Sequence, residues 1–203
     1  MVSRETSDQD LFGPALQAAQ RYAELLATEG IVRGLLGPRE ADRIWDRHMV
    51  NSALVGHWIG EGSSVVDLGS GAGLPGIPLA LARPDVSVTL VEPLQRRVIF
   101  LQEVLAELAV TNPQVKVEVI RGRAEQVNRT FNVVTARALA PLERLVGWAA
   151  PLIAPGGMLV ALKGSSAQQE IEQAQAQLAK AGLSASVDVF QGVTVVLAQR
   201  ISD

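Results

Sequence analysis

The chain has 203 residues, of which 48% are hydrophobic and 19% are charged, and its formal net charge is −3. This length and composition predict one large domain, or a domain with an appendage, that buries a sizeable core, and the negative charge argues against broad coating of nucleic acid. The absence of cysteine excludes disulfides, thiol catalysis and thiolate metal sites, and two histidines are too few for a typical zinc site.

The first predicted elements are helices. Residues 1–10 are polar and lack the apolar core of a signal peptide, so we expect a disordered tail and a cytoplasmic protein. Apolar residues at helical spacing predict one helix at 11–26 and a second at about 38–59. His48 lies on the apolar stripe of the second helix, where we expect a half-buried, hydrogen-bonded histidine rather than a catalytic base.

From residue 63 onwards, strand-like and helical patterns alternate. Strands are predicted near 64–68, 86–91, 115–120, 131–136, 157–162, 184–190 and 193–201. The alternation predicts a doubly wound α/β fold with a parallel sheet, and the last two strands form a terminal hairpin that adds an antiparallel strand. We therefore expect an N-terminal helical cap at 11–62 on a main domain at 63–203, in one compact unit.

Two further segments bear on the fold. A polar helix is predicted at 166–181, ending at a glycine. The uncharged run at 145–162 is long enough to suggest a membrane span, but prolines and glycines interrupt it. We interpret that run as a helix, a turn and a buried strand, and we expect no association with a membrane.

The segment at 65–79 reads VVDLGSGAGLPGIPL and predicts a strand, a tight glycine turn and a helix start. Glycines let a ligand approach the backbone, so such a turn predicts a nucleotide-type site at the carboxyl end of the strand. Gly71 begins a G-x-G-x-x-G match, which also fits a dinucleotide. Asp67 would repel a pyrophosphate, however, and together with Glu92 it suits a cationic ligand with a ribose. These carboxylates favour S-adenosylmethionine, while a dinucleotide site and a purely structural turn remain alternatives.

Three basic residues follow later strands on the same side of the predicted sheet. Arg123 follows the third strand, Arg137 the fourth and Lys163 the fifth. Each alone is typical of a solvated surface charge, but together they are expected to line one edge of the ligand crevice. Basic groups beside a methyl-donor site indicate a substrate that carries phosphate or guanine.

The chain resembles one family, the bacterial 16S rRNA guanine-N7 methyltransferases, also called RsmG or GidB. The resemblance is carried by WDRHMVNS at 45–52, DLGSGAGLPGIPL at 67–79, R-R-V-x-F-L at 96–101, RAE at 123–125, TARAL at 135–139 and LKG at 162–164. These segments span most of the chain in the family's order. Asn51 departs from the pattern, since many members have aspartate there.

The resemblance implies a seven-stranded, Rossmann-like fold of S-adenosylmethionine-dependent methyltransferases. It also implies methylation of N7 of guanine 527 in the 530 loop of 16S rRNA, with the 30S ribosomal subunit as substrate. No metal is expected, and we expect a monomer. Loss of such enzymes is associated, for the family, with low-level streptomycin resistance.

The resemblance also assigns residues. It implies S-adenosylmethionine contacts at Gly69, Leu74, Ala124, Glu125 and Arg137, and the chemistry of the glycine turn adds Asp67, Gly71 and Glu92. Arg123, Arg137 and Lys163 match basic positions near the target base and are the candidate catalytic residues. Neutral guanine already has a lone pair at N7, so we expect direct in-line transfer without a general base.

Other functions compete with this interpretation. A methyltransferase acting on a small molecule or on another RNA would share the fold, although a small molecule does not explain the basic residues. A dinucleotide oxidoreductase would need a hydride-transfer site, for which the sequence shows no motif. A non-catalytic RNA-binding protein should be basic or rich in aromatic residues, and only 4% of the residues are aromatic.

Overall fold

A computed structural model describes residues 6–200. Its seven strands are β1 (Ser64–Leu68), β2 (Ser87–Glu92), β3 (Val117–Arg121), β4 (Phe131–Arg137), β5 (Ile153–Lys163), β6 (Leu183–Phe190) and β7 (Val193–Arg200). They form one sheet in the order β3-β2-β1-β4-β5-β7-β6. The first five strands are parallel, and β7 is antiparallel to both β5 and β6. The predicted doubly wound sheet with its terminal hairpin is confirmed.

The strand order fixes where a ligand can bind. The chain moves outwards from β1 through β2 to β3 and then returns to the other side of β1 with β4. The carboxyl ends of β1 and β4 therefore border a topological switch point, which is where doubly wound sheets hold their ligands. The residues Val65–Leu68 are all buried, as expected for a strand covered on both faces.

Eight α-helices lie within residues 6–200. They are α1 (Asp8–Phe12), α2 (Leu16–Leu25), α3 (Asn51–Ala53), α4 (Gly76–Ala82), α5 (Gln95–Thr111), α6 (Leu142–Ala149), α7 (Ala167–Gln173) and α8 (Gln175–Ala181). Short 3₁₀ or π segments join some of them, at Gly13–Ala15, Leu26–Gly30, Pro38–Arg43, Ile44–Val50, Leu54–Trp58, Ala124–Gln126 and Ala150–Leu152.

Two apolar cores cover the two faces of the sheet. The first joins the N-terminal helices to α4 and α5, and the second lies under α6, α7 and α8. Because the N-terminal helices share a core with α4 and α5, they pack on one face of the sheet. We call the helical region before β1 the cap, and its predicted boundary at residues 62 and 63 stays a prediction.

The N-terminal predictions need correction in two places. Residues 1–5 of the predicted tail lie outside the described residues, and the prediction of disorder is wrong for residues 8–10, which belong to α1. The Ser7 Oγ accepts the N–H of Asp10 at 3.1 Å, and the Trp45 indole donates to Asp8 at 2.9 Å. The helix predicted at 11–26 is interrupted because Pro14 lies in the 3₁₀ turn that precedes α2.

The helices predicted at 38–59 and 166–181 are also less regular than expected. The first changes from 3₁₀ to π to α and back to 3₁₀ hydrogen bonding along its length. The second breaks at the fully buried Ala174, where α7 ends and α8 begins. The uncharged run at 145–162 forms the end of α6, a turn and most of β5, as interpreted, and no helix within residues 6–200 has the length and apolarity to cross a membrane.

Candidate functional site

The glycine turn directly follows β1. Gly69, Gly71 and Gly73 have φ angles of +66°, +59° and +101°, a region that residues with a Cβ rarely adopt. The N–H groups of Gly69 and Ser70 donate to the Val91 carbonyl at 2.8 and 3.2 Å. The turn is thus closed against β2 and leaves its glycine backbone facing the switch point.

A tyrosine of the cap supports this turn. The Tyr22 hydroxyl donates to the Ala72 carbonyl at 2.6 Å, and the ring is fully buried. A Cβ on Gly73 would lie 2.7 Å from the same hydroxyl. The cap therefore contributes to the shape of the glycine turn, which sequence reasoning did not anticipate because Tyr22 lies 50 residues before its partner.

Asp67 lies at the end of β1 and is fully buried. One carboxylate oxygen, Oδ2, accepts the N–H of Gly76 at 3.1 Å, at the start of α4. The other, Oδ1, is buried and has no hydrogen-bond partner among the described residues. Burial raises the pKa of Asp67 to about 7. The side chain braces the turn and α4 from inside, and its predicted contact with a cofactor stays a prediction.

Glu92 ends β2 and is only 1% exposed. Its Oε2 accepts the Gly71 N–H at 2.9 Å, and its Oε1 accepts the Leu94 N–H at 2.9 Å. Glu92 therefore ties the glycine turn to the segment that leads into α5. Its predicted hydrogen bonds to a ribose stay a prediction, and they would have to form beside these two backbone contacts.

A cavity of about 310 Å³ opens beside the glycine turn. Its walls include Gly69, Arg123, Ala124, Glu125, Leu139 and Trp148. The structure thus brings together three of the residues predicted to contact the cofactor, Gly69, Ala124 and Glu125. Leu74, another predicted contact, is buried and lines neither this cavity nor the larger one described next.

A larger cavity of about 1030 Å³ lies on the other side of Leu139. Its walls include Arg47, Arg137, Lys163 and the β6–β7 turn at Gly192. Leu139 lines both cavities, so the segment after β4 separates them. Within that segment Ala138 has a φ of +51°, a costly conformation for a residue other than glycine.

The three predicted bases do not lie together. Arg137 and Lys163 line the larger cavity, whereas Arg123 lines the smaller one. The bases are divided between the two cavities because β4 and β5 are neighbours, while β3 lies at the edge of the sheet beyond β2 and β1. That they line one crevice edge stays a prediction. Chain order placed Arg123 next to Arg137, but strand order separates them.

Lys163 has two protein partners. Its Nζ donates to the Ala140 carbonyl at 2.9 Å and pairs with Glu170 at 2.6 Å. The same oxygen of Glu170 accepts the Leu142 N–H at 2.9 Å. This pair fixes the segment between β4 and α6, and it neutralises the charge of Lys163 at the cavity wall. The predicted catalytic role of Lys163 stays a prediction.

Arg137 ends β4 and contacts the cap. Its Nη2 lies 2.6 Å from His48 Nδ1, and its Nη1 donates to the Ser52 hydroxyl at 3.2 Å. His48 Nε2 in turn lies 2.7 Å from a carboxylate oxygen of Glu40. The sequence placed His48 on an apolar helical stripe, but no local pattern links His48 or Ser52 to Arg137, and Glu40 was not among the candidate residues.

Comparisons with known proteins bear on both the chain and its fold. A family model described as rRNA small subunit methyltransferase G matches residues 15–194. A ribosomal RNA small subunit methyltransferase G of Kineococcus radiotolerans is 53% identical over 199 residues, which cover 94% of this chain and 77% of that protein. The protein of the same name from Thermobifida fusca is 55% identical over 173 residues, covering 84% and 71%.

Solved structures support the fold alone, because their sequences are distant. A methyltransferase from Pyrococcus furiosus superimposes with a TM-score of 0.61 at 15% identity, covering 90% of this chain and all of that one. A putative S-adenosylmethionine-dependent methyltransferase from Methanococcus maripaludis gives a TM-score of 0.61 at 12% identity, covering 100% and 98%. The predicted Rossmann-like methyltransferase fold is confirmed.

Proposed function

Because the chain belongs to the rRNA small subunit methyltransferase G family, we propose that it methylates N7 of guanine 527 in the 530 loop of 16S rRNA. The family match establishes the coarser statement, that the chain is an rRNA methyltransferase of the small subunit family. The dinucleotide alternative finds no support in it. The nucleotide, the atom and the use of S-adenosylmethionine as methyl donor are the parts that we propose.

The observation that carries the proposal is the pair of cavities that meet at Leu139. The smaller cavity adjoins the glycine turn and presents the exposed carboxylate of Glu125, and the larger one presents Arg137. A methyl donor and a nucleobase need two sites that share a border, and the larger cavity is the one that presents Arg137. The two sites then meet at the switch point of the sheet.

The residues around the smaller cavity fit S-adenosylmethionine. The cradle needs Gly69 without a side chain, since a Cβ there would collide with Leu139. Glu125 lies in the wall and Glu92 lies behind the turn, which suits a cation better than a phosphate. When bound, this cofactor supplies an electrophilic methyl group attached to a sulfonium.

Arg137 is the residue best placed to recognise the target base. Its five N–H donors include two engaged by His48 and Ser52, which leaves donors for a ligand in the larger cavity. A donor at guanine O6 disfavours adenine, which carries an amino group there. N7 must stay free to react, so we assign the donors of Arg137 to O6, to a phosphate or to the cofactor carboxylate.

The site supports a reaction without a general base. Neutral guanine has an in-plane lone pair at N7 and loses no proton there during methylation. Both ring nitrogens of His48, the histidine nearest to Arg137, are engaged by Glu40 and Arg137. The protein's task is therefore to expose the base, to orient it and to exclude water.

The deciding experiment maps methylation chemically. Purified protein and labelled S-adenosylmethionine are incubated with 30S particles, with naked 16S rRNA and with small acceptors, and N7-methylguanine is located in the product. We expect label at guanine 527 alone. We also expect N7-methylguanine at that position in 16S rRNA from cells that contain the protein and its absence in cells that lack it. Label at another nucleotide or at an exocyclic amine would contradict the proposal. The same preparation, examined by light scattering, tests the monomer that we propose.

Arg137→Ala tests the assignment of the recognising residue. We expect it to lower kcat/KM by about 10- to 100-fold, because an interaction with the base or the cofactor is lost. Arg96→Ala, which removes an exposed arginine on α5, is the matched control and should stay close to the wild type. Full activity of Arg137→Ala, with unchanged unfolding, would remove Arg137 from the mechanism.

A further inference from the structure

A chain of three side chains runs from the cap to the wall of the larger cavity. Glu40 Oε2 lies 2.7 Å from His48 Nε2, and His48 Nδ1 lies 2.6 Å from Arg137 Nη2. His48 is 7% exposed and Arg137 is half-buried, so the contact between them is shielded from water, whereas Glu40 at the outer end is partly exposed. His48 of the cap thereby fixes the orientation of Arg137 at the end of β4.

The protonation of this chain follows from its geometry. The guanidinium can only donate, so His48 Nδ1 must be the acceptor and Nε2 must carry the proton given to Glu40. Burial lowers the pKa of His48 below its ordinary value, and the charge of Arg137 lowers it further. The hydrogen bond from His48 lowers the pKa of Glu40. At neutral pH the chain is therefore a carboxylate, a neutral imidazole and a guanidinium.

The neutral imidazole matters because it fixes a cation without cancelling its charge. Lys163, in the same cavity wall, is held by a carboxylate 2.6 Å away. Arg47, also in that wall, lies 3.3 Å from Glu40. Among these three residues, Arg137 alone is held at hydrogen-bond distance by a neutral nitrogen, that of His48. The carboxylate of Glu40 contacts the other nitrogen of that ring and not Arg137 itself. Its charge consequently remains available to an anionic or electron-rich ligand.

We propose that His48 and Glu40 are positioning residues for the methylation, which orient Arg137 through a neutral acceptor so that it meets the substrate both fixed and charged. The inference rests on the proposed function for its substrate, but the tautomer of His48 is independent of any activity. His48 contacts no reacting atom in this scheme. Glu40 fixes the imidazole, and the imidazole fixes the guanidinium.

Nitrogen NMR of the imidazoles tests the geometry by itself. The chain has two histidines, so a His57→Gln variant leaves one imidazole signal set. We expect the neutral Nε2–H tautomer of His48 at pH 7, with protonation only below the ordinary histidine pKa of about 6.5. The Nδ1–H tautomer, or a protonated ring at pH 7, would overturn the proposal whatever the protein methylates.

Isosteric variants of His48 then separate orientation from charge. The amide oxygen of His48→Asn can take the place of Nδ1, so this variant should keep kcat/KM within about 3-fold, whereas His48→Leu should lose about 10- to 100-fold. His48→Asp offers a charged acceptor at the same place and should lose at least about 10-fold, because it neutralises Arg137. Equal activity of the Asn and Asp variants, or equal loss in the Asn and Leu variants, would refute the proposal.

Variants of Glu40 test the outer link. Glu40→Ala should lower kcat/KM by about 10-fold and Glu40→Gln, which retains an acceptor oxygen, by less than about 3-fold. In the double variant Glu40→Ala with His48→Leu the loss should not exceed that of His48→Leu, because the residues act as one unit. Asp42→Ala, which removes an exposed acid from the same 3₁₀ segment, is the matched control. Additive losses would show that Glu40 acts separately.

A structural role and a general base are both distinguishable from positioning. Loss of packing would lower the thermal midpoint and the fraction of active protein, so that the apparent kcat would fall in proportion while KM for RNA stayed unchanged. A misplaced Arg137 would instead raise KM for RNA. A general base would be destroyed in His48→Asn. Positioning predicts that His48→Asn stays active. It also predicts that the fall in kcat/KM at acid pH, which protonation of His48 causes in the wild type, is absent from this variant. The charged groups that face the His48 ring are Glu40, Arg47 and Arg137. An inactive, stably folded His48→Asn would overturn the proposal.

Discussion

Replacing Glu92 by glutamine is the sharpest single test of how the glycine turn is held. The Glu92 carboxylate accepts two backbone N–H groups, from Gly71 and Leu94, each at 2.9 Å, and it is 1% exposed. A glutamine has one acceptor oxygen and one amide nitrogen of nearly the same shape. Whichever way it is turned, it can accept from one backbone group while its NH₂ faces the other.

The size of the effect follows from these contacts. Hydrogen bonds to a charged group contribute about 1.5–3 kcal/mol each, so losing one should lower the free energy of unfolding by about that amount. In a chain of this length each kcal/mol lowers the thermal midpoint by about 2–4 °C, which gives a decrease of about 3–12 °C. Glu92→Ala loses both bonds and should be destabilised further. Since the turn borders the smaller cavity, where we propose that S-adenosylmethionine binds, the affinity of the protein for S-adenosylmethionine should fall by about 10-fold.

The assay combines thermal unfolding with calorimetric titration of S-adenosylmethionine. Glu125→Gln is the matched control because Glu125 lines the smaller cavity but is exposed. This control should change the free energy of unfolding by less than about 0.5 kcal/mol, even if it alters cofactor affinity. If Glu92→Gln unfolds like the wild type, the backbone contacts do not hold the turn. If it is destabilised but binds the cofactor unchanged, the turn is not part of the cofactor site.

Two further predictions concern buried charges. The pKa of Asp67 is raised from its ordinary 3.8 to about 7, so between these pH values the folded state holds a proton that the unfolded state has lost. The wild type should therefore lose stability relative to Asp67→Asn as the pH rises from about 4 to 7. Urea unfolding at four pH values checks this, and a pH-independent difference in unfolding free energy would contradict it. Lys163→Met should lower the free energy of unfolding by about 1–3 kcal/mol, because it leaves Glu170 without its cation. Adding Glu170→Gln should restore part of that loss. If the loss in the double variant equals the sum of the losses in Lys163→Met and Glu170→Gln, the two residues are not coupled.

The sequence predicted the sheet well because its signals are local. Each strand is an apolar run bounded by turn residues, and the glycine turn after β1 has a spacing that few other structures need. The predicted strand ends differ from the observed ones by only a few residues, and by four at the start of β5, where the prolines and glycines obscured the pattern. Local patterns thus placed the switch point and the glycine cradle.

The partners of the charged residues could not be predicted from those signals. Arg137 meets His48 across 89 residues, and nothing in either local pattern indicates the contact. The strand order that separates Arg123 from Arg137 depends on which crossover the chain takes, which apolar periodicity leaves open. Lys163 meets Glu170 seven residues later, across the loop between the end of β5 and the first turn of α7, and the predicted element boundaries do not indicate that contact.

The pairing of charges explains how a chain with a net charge of −3 can address an anionic substrate. Arg47 and Lys163 line the larger cavity but each has a carboxylate within 3.3 Å, so neither adds much to the field there. Arg137 lies two residues before Leu139, which borders both cavities. The acceptors nearest to Arg137 are the neutral imidazole of His48 and the hydroxyl of Ser52. On the proposed function, a single oriented cation at the border between the two cavities gives selectivity for the reacting base rather than affinity for RNA in general. On the proposed function, affinity for the rRNA substrate then depends on contacts outside this cavity, in a protein whose net charge is −3.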